Sequence, residues 1–442
     1  MLLQGKHRNS SEYSQTMATQ LARISQLSAA DPQMVFRQLM HHLTKERLGH
    51  CYQSLSGRAA GGIDGVTKKD YGRNLQGNLD DLWKRLKAMA YRPCPARQVM
   101  IPKEGNKGAT RPLGIGNFED KIVHKGIQYL LEAIYEPLFL DCSYGFRPKR
   151  GCHDAIRDLN DYLYRRPVKV VLDLDLSNYF GTINHEMLVD MVSRKIQDQR
   201  FLRYLRRILK AGILSEGELR ISEEGVPQGS VCSPTLANIF AHHVLDEWFE
   251  DTVKRHCYGK VALFRYADDA VICCEKSRDA ERIQTAIARR LDKFKLKLNP
   301  DKTRIIQFDR QDRLGSGAFD FLGFTFYLGL TKRGAVIPKL KTSGKRIRGK
   351  LKRVNEWCRR FRNQESMLSL WTRFCDKLRG HIQYYGVSFN GPAVHYFVRQ
   401  SCFIFRRWMN RRSQRKSMSY DGFKQFMQVV KLPPIRICHK LF

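Results

Sequence analysis

Apolar residues return at three- and four-residue intervals between positions 15 and 56, with Leu21, Ile24 and Leu27 in one run and Val35, Leu39 and Leu43 in the next. This spacing puts them on one helical face and predicts two short helices joined near Asp31–Pro32, since proline disfavours a helical predecessor. The glycine-rich AGGIDG at 60–65 breaks the pattern, and a more polar helix with Leu75, Leu79, Leu82 and Leu86 leads to an extended segment ending in VMIPK. Residues 168–176, VKVVLDLDL, read as a buried strand in which apolar and β-branched residues alternate with Asp173 and Asp175. Helical spacing resumes over 185–212 and 233–254. LFRYADDAVICCE predicts strand–turn–strand with Asp268 and Asp269 at its tip; a helix over 277–295, a strand at TRIIQFD and a turn into FDFLGFTFY follow. Two acidic strands among amphipathic helices predict an α+β catalytic domain.

Past residue 331 the helical period persists while the polar positions change character. Ile347, Leu351, Val354 and Trp357 make an apolar stripe, and Lys and Arg crowd the other faces. Residues 331–442 hold 27 Lys and Arg against four acids, Glu356, Glu365, Asp376 and Asp421, a net charge of +23. The whole 442-residue chain carries 78 basic and 43 acidic residues, so most of its +35 lies in this segment. No core absorbs such an excess, which predicts a polyanionic partner, nucleic acid first.

The 12 cysteines include no C-x-x-C pair, so a zinc ribbon finds no support, and they read as free thiols in a reducing compartment. The N-terminal MLLQGKHRNSSEYSQ has no apolar signal core, and no run of about 18 apolar residues occurs anywhere. The expectation is a soluble, cytoplasmic protein with no membrane partner, associated with the nucleoid or a ribonucleoprotein.

Taken alone, adjacent aspartates suit a surface turn. Nucleotidyl transfer offers another use for them. Two Mg²⁺ ions roughly 3.5–4 Å apart stabilise the attacking and leaving oxygens, and they need carboxylates converging on one point. A hairpin tip bearing Asp268 beside the end of a strand bearing Asp175 supplies such a point. Asp173 shares a strand face with Asp175, so spacing alone does not choose between them.

These residues resemble a known family. RYADD is similar to the catalytic motif of reverse transcriptases, in the form common among group II intron-encoded enzymes. VVLDLDLSNYFGTINHE resembles their first catalytic strand, EGVPQGSVCSPTLANIF their template-and-nucleotide loop and helix, and KLNPDKTRIIQF with FDFLGFTF the two elements after the hairpin. IPKEGNKGATRPLGI and CSYGFRPKRGCHDAI resemble the fingers motifs, and LRGHIQYYGV the thumb signature of intron maturases, called domain X. The motifs run in order from about residue 20 to the C-terminus.

The resemblance implies roles residue by residue. Asp175, Leu176, Asp268 and Asp269 would hold two catalytic Mg²⁺ ions, Asp175 being preferred over Asp173 because Phe180 then falls where the family keeps its aromatic steric gate against a 2′-hydroxyl. Lys103, Arg111, Gln228, Gly229 and Lys302 would serve the incoming dNTP and its pyrophosphate, although Gln228–Gly229–Ser230 departs from the usual QGG. Phe321, Leu322, Gly323 and Phe324 match the primer grip. Lys345, Arg346, Arg348, Arg379, Arg411, Arg412, Arg415 and Lys416 are candidate RNA contacts. Trp357, Tyr384, Tyr385 and Trp408 read sooner as thumb core than as stacking surfaces.

The implied architecture is a right-hand polymerase: a helical extension over 1–60, fingers and palm with antiparallel sheet over 61–330, and a basic helical thumb over 331–442. The implied function is RNA-directed DNA synthesis with intron RNA, target DNA, a DNA primer and dNTPs as partners, together with assistance to splicing. Paired C-x-x-C motifs of the family's C-terminal endonuclease are missing, so that activity is not expected. A splicing factor without synthesis, or a related enzyme in a host repair or defence role, are the other readings.

Overall fold

The computed structural model describes residues 19–102, 110–227, 229–412, 418–429 and 431–441. Lys103, Gln228, Arg415 and Lys416 therefore lie outside the described residues. The first helix covers 19–30, but the expected second one does not start at Pro32: residues 31–39, with Val35 and Leu39, are non-helical, and Phe36 bridges Ile196. The next α-helix is Lys45–Ser54, with Thr44 accepting a hydrogen bond from the Arg47 backbone N–H as its cap. The Leu-bearing polar helix spans Leu75–Lys87 and buries Leu79, Leu82 and Leu86.

Strands β1 (Ala96–Pro102) and β2 (Thr110–Ile115) form an antiparallel hairpin, extended by β4 (Ile213–Ser215) and β5 (Glu218–Arg220) into a sheet ordered β2-β1-β4-β5. Helix α1 (Phe118–Tyr135) follows β2 and is buried over most of its length, packed against the Lys45–Ser54 helix. The expected helix over 185–212 is two helices, His185–Ser193 and Gln199–Leu209. Asp198 breaks the run. Its carboxylate caps the second helix through the Arg200 and Phe201 N–H groups and also accepts from Leu39 and Met40, tying the N-terminal region to this corner.

The central sheet is ordered β6-β7-β3-β8, wholly antiparallel, from β3 (Val170–Asp175), β6 (Val261–Tyr266), β7 (Asp269–Cys274) and β8 (Arg304–Gln307). Its two faces serve different cores. Val170, Leu172, Leu174, Ile272 and Cys274 join a large cluster with α1 and with helix α2 (Ser233–Ala241). Val171, Val271 and Cys273 point the other way, into a cluster shared with the basic C-terminal region. Beyond α2 the chain continues in π-helical turns, His242–Asp246 and Phe249–Val253.

A third sheet, β11-β10-β9, follows, from β9 (Phe319–Phe321), β10 (Phe324–Leu330) and β11 (Val336–Thr342). The basic region is then helical: α3 (Gly344–Phe361), α4 (Met367–Tyr385), α5 (Gly391–Met409) and a last helix, Tyr420–Val429. Trp371, fully buried, packs its ring against Phe374, Phe405, Phe423 and Phe426. Tyr385 and Trp408 are buried, and Trp357 and Tyr384 half-buried against the same cluster, as the core reading expected. Arrangement and class are thus α+β: fingers and palm with antiparallel sheets, then a helical thumb. No described helix is long and apolar enough to cross a membrane.

Candidate active site

Register on the central sheet fixes where the acids meet. In β3 and β7, Asp175 pairs with Asp269 and Asp173 with Val271. Tyr266 pairs with Asp269 across β6 and β7, so Ala267–Asp268 is a two-residue hairpin turn. Ala267 takes the left-handed backbone such a turn requires, at φ 59°. Asp175, Asp268 and Asp269 are therefore gathered at one end of the sheet, while Asp173 sits one pleat further in, opposite Arg304 on β8. Leu176, next in line, buries its side chain and bridges Leu298, so only its backbone carbonyl could serve a ligand.

The electrostatics fit this grouping. Burial, then repulsion from Asp268 and Asp175, pushes the Asp269 carboxyl up to about 6, against the pull of Arg346 and Lys302. Asp268 is raised by burial and by Asp175, opposed by Arg111 and Lys302. Asp173 is pushed up to about 7, first by burial, then by Asp269, Asp175 and Asp320. Lys302 Nζ lies 2.8 Å from the Asp175 carboxylate and forms an ion pair with it. An all-oxygen cluster, crowded enough to resist full ionisation, suits a hard divalent cation.

A cleft of about 650 Å³ opens over these acids. Arg111 of β2 reaches it from the fingers, Phe146 from a loop and Phe180 from the short helix Tyr179–Thr182, the two aromatic rings edge to face at 6.3 Å. Gly229 comes so close to the fingers hairpin that an added Cβ would stand 2.5 Å from the Gly114 carbonyl oxygen, and its φ of 107° also demands glycine. Ser230, where the family often has a second glycine, is anchored instead: its hydroxyl lies 3.0 Å from Nδ1 of the buried His124 on α1. The same loop is tied to the aromatic position by the Val226 N–H, which donates to the Phe180 carbonyl at 2.7 Å.

The thumb closes the other side. Leu322 and Gly323, both at positive φ, form the β9–β10 turn and line the cleft, whereas Phe321 and Phe324 are buried beneath it. Two tyrosines of the QYYG run hold this turn. The Tyr384 hydroxyl donates to the Leu322 carbonyl at 2.9 Å, and a Cβ on Gly323 would stand 3.0 Å from the Tyr385 hydroxyl. Arg346 and Lys350 of α3 complete the rim. Of the other basic candidates, Lys345, Arg348 and Arg411 are exposed away from the cleft lining, Arg379 pairs with Asp376, and Arg412 donates to the Glu365 carbonyl at 2.7 Å.

Sequence reasoning missed the group behind the hairpin. Arg265, fully buried, makes a two-pronged ion pair with Asp246 at 2.7 and 2.5 Å. Its remaining donors reach the Asn238 side chain at 3.2 Å, the Ser143 hydroxyl at 2.7 Å and the Ala267 carbonyl at 3.1 Å. Asn238 in turn donates to the Gly145 carbonyl at 2.6 Å. One guanidinium thus ties the aspartate turn to the π turn after α2 and to the loop bearing Phe146. The signal was present: an arginine in an otherwise apolar strand needs a buried counter-ion.

Carboxylates on a palm sheet, roofed by a fingers hairpin and flanked by a helical thumb, define a template-directed polymerase. A sequence profile of the reverse transcriptase (RNA-dependent DNA polymerase) family matches residues 101–326, and the chain belongs to that family. It is similar to Protein YkfC of Escherichia coli K12, 35% identical over 318 residues, covering 64% of this chain and 83% of YkfC. It is also similar to the group II intron-encoded protein LtrA of Lactococcus lactis subsp. cremoris, 26% identical over 464 aligned residues, 87% of this chain and 76% of LtrA. An uncharacterized 91 kDa protein in the cob intron of Schizosaccharomyces pombe is 38% identical over 191 residues, 43% of this chain and 23% of that protein. Enzymes of this family use divalent metal ions and act on nucleic acid.

A melting experiment checks the acid cluster without turnover. Asp173 and Asp269 bind protons more tightly folded than unfolded. Their effect on stability is absent below the ordinary carboxylate pKa near 4, turns unfavourable as pH rises toward 6 and 7, and stays so above. A divalent cation relieves the repulsion only where the groups are ionised. Mg²⁺ should therefore raise Tm more at about pH 8 than at about pH 5. An equal rise at both, or the same rise in Asp268→Asn, would show that the cation binds elsewhere.

Proposed function

We propose that this enzyme copies RNA into DNA by two-Mg²⁺ catalysis at Asp175, Asp268 and Asp269, and that it works on group II intron RNA, which its thumb binds to assist splicing. The observation that carries the reading is the cleft itself, where a fingers arginine, an aromatic gate, the acid-bearing turn and the primer-grip turn all converge. The likeness to LtrA over most of both chains supports the intron assignment. In this reading the chain divides into an extension (1–60), fingers and palm (61–330) and thumb (331–442), the last boundary crossing the β10–β11 hairpin, whose strands pair from Phe324 to Thr342.

Asp175, Asp268 and Asp269, with the Leu176 carbonyl beside them, would hold the ions, which when bound lower the pKa of the primer 3′-hydroxyl and stabilise the charge on the departing pyrophosphate. Everything else falls to the chain's own groups. Arg111, with Lys103 and Lys302, meets triphosphate oxygens as charge-assisted donors. Lys302, held by Asp175 until substrate arrives, is poised to move to the pyrophosphate. Gln228 and Gly229 approach the nucleotide and template, Leu322–Gly323 supports the primer end, and Arg346 and Lys350 flank its backbone. Target DNA supplies the primer, and dNTPs the monomers.

Phe180 is the sugar gate in this reading, and the edge of Phe146 holds its ring upright. Phe180→Ala should keep dNTP incorporation within about tenfold while raising ribonucleotide incorporation by about a hundredfold, a change of ~3 kcal/mol in discrimination. Steady-state kinetics with paired dNTP and rNTP on a primed RNA template test it; unchanged discrimination would return Phe180 to the core. The function itself is tested by primer extension on RNA, together with splicing of a group II intron transcript with and without the protein.

A further inference from the structure

Helix α5 buries one side in the thumb and turns an unusual face outward. Val394, Phe397, Phe405 and Trp408 are buried, yet Tyr396 is 46% and Phe403 59% exposed. Arg399 and Arg407 are exposed on the same face, with Arg411 just beyond the helix end. Positions 396, 399, 403 and 407 differ by three and four, so they make one stripe. No acid interrupts it between 391 and 412. Phe403 also walls a cleft of about 320 Å³ with Arg406, Arg407, Asn410 and Arg411. Arg406 Nε is buried there with no hydrogen-bond partner among the described residues.

These features select among occupants. A protein partner or a second copy would be met by aliphatic residues and some charge of both signs, and this face has neither. A paired RNA helix offers phosphates and 2′-hydroxyls, while its bases stay stacked inside and give an exposed ring nothing to cover. Unpaired RNA offers both halves: a base for the ring and a phosphate for the adjacent guanidinium. The polymerase cleft takes no residue from α5; its thumb wall comes from α3 and α4.

We infer that the outer face of α5 is a binding site for unpaired RNA, separate from the polymerase cleft. One base stacks on Phe403 in the cleft with its phosphates on Arg406, Arg407 and Arg411. A second base reaches Tyr396, about 10 Å further along the helix, across Arg399. This rests on the reading of the chain as an RNA-binding reverse transcriptase and adds that the thumb reads loops as well as backbone charge.

The test uses the full chain and two fluorescent RNAs, a hairpin with an unpaired loop and a blunt duplex, followed by anisotropy across a salt series. Phe403→Ala and Tyr396→Ala remove exposed rings and spare the core. Each should weaken hairpin binding by about five- to a hundredfold, leave duplex affinity and the salt slope unchanged, and Phe403→Trp should bind normally. No loss, or equal loss for both RNAs, would overturn the site. Variants that keep hairpin affinity but lose sedimentation with phosphatidylglycerol vesicles, or lose self-association, would overturn it in favour of a membrane or a second copy. Failure of the unaltered protein to extend a primed RNA would count against the polymerase reading alone; the hairpin–duplex contrast still decides for α5.

Discussion

Asp175→Asn should lower RNA-templated incorporation by about a thousandfold or more, and Asp173→Asn by less than about tenfold. The contrast follows from register. Asp175 stands directly across from Asp269 and next to the Asp268 turn, whereas Asp173 is a pleat away, beside Arg304. Asp268→Ala should be as damaging as Asp175→Asn. RNA affinity should hold in all three, since a carboxylate attracts no phosphate and its removal releases no counter-ion. Single-turnover extension and filter binding on the same preparations measure the two effects. Loss at Asp173 with retention at Asp175 would reassign the first carboxylate of the site.

Asp246→Leu should destabilise the protein by about 3–5 kcal/mol, because it leaves the Arg265 guanidinium buried without its counter-ion. A guanidinium is too basic to give up its proton in a folded protein, so Arg265 does not neutralise to escape the loss. The double replacement Arg265→Met with Asp246→Leu should regain much of the stability, as an apolar pair fills the space without buried charge. Incorporation should not return with it. The Ala267 carbonyl and the Ser143 hydroxyl would still lack the donors that fix the aspartate turn, and Asn238 would lose its link to Arg265. Urea denaturation reads stability, and kcat with KM for dNTP reads the turn. A double variant with wild-type kcat would reduce the network to packing.

Much of this site was legible because its parts are local. The alternation in VVLDLD and the hairpin around RYADD each encode a strand and its tip within ten residues, and the pleat then dictates which carboxylates share a face. The choice of Asp175 over Asp173 was not local. It came from the position of Phe180 in the family resemblance, and the β3–β7 register, which no single strand carries, adds that Asp175 stands across from Asp269. The Arg265–Asp246 pair lies 19 residues apart across a π turn, and Ser143 joins from 122 residues away, so periodicity could not unite them. The break at Asp198 was readable as a cap, but a continuous apolar period over 185–212 masked it. On the thumb, charge count gave the partner class, while deciding which aromatics face outward required the packing of α4 and α5. Trp408 went into the core and Phe403 stayed out.

The most direct test of the central claim is extension of a labelled DNA primer on a defined RNA template by a single dNTP in Mg²⁺. The account predicts addition of one nucleotide only when that dNTP matches the template base, and no addition by Asp268→Ala folded to the wild-type Tm. Addition without regard to the template, or undiminished addition by that variant, would contradict it.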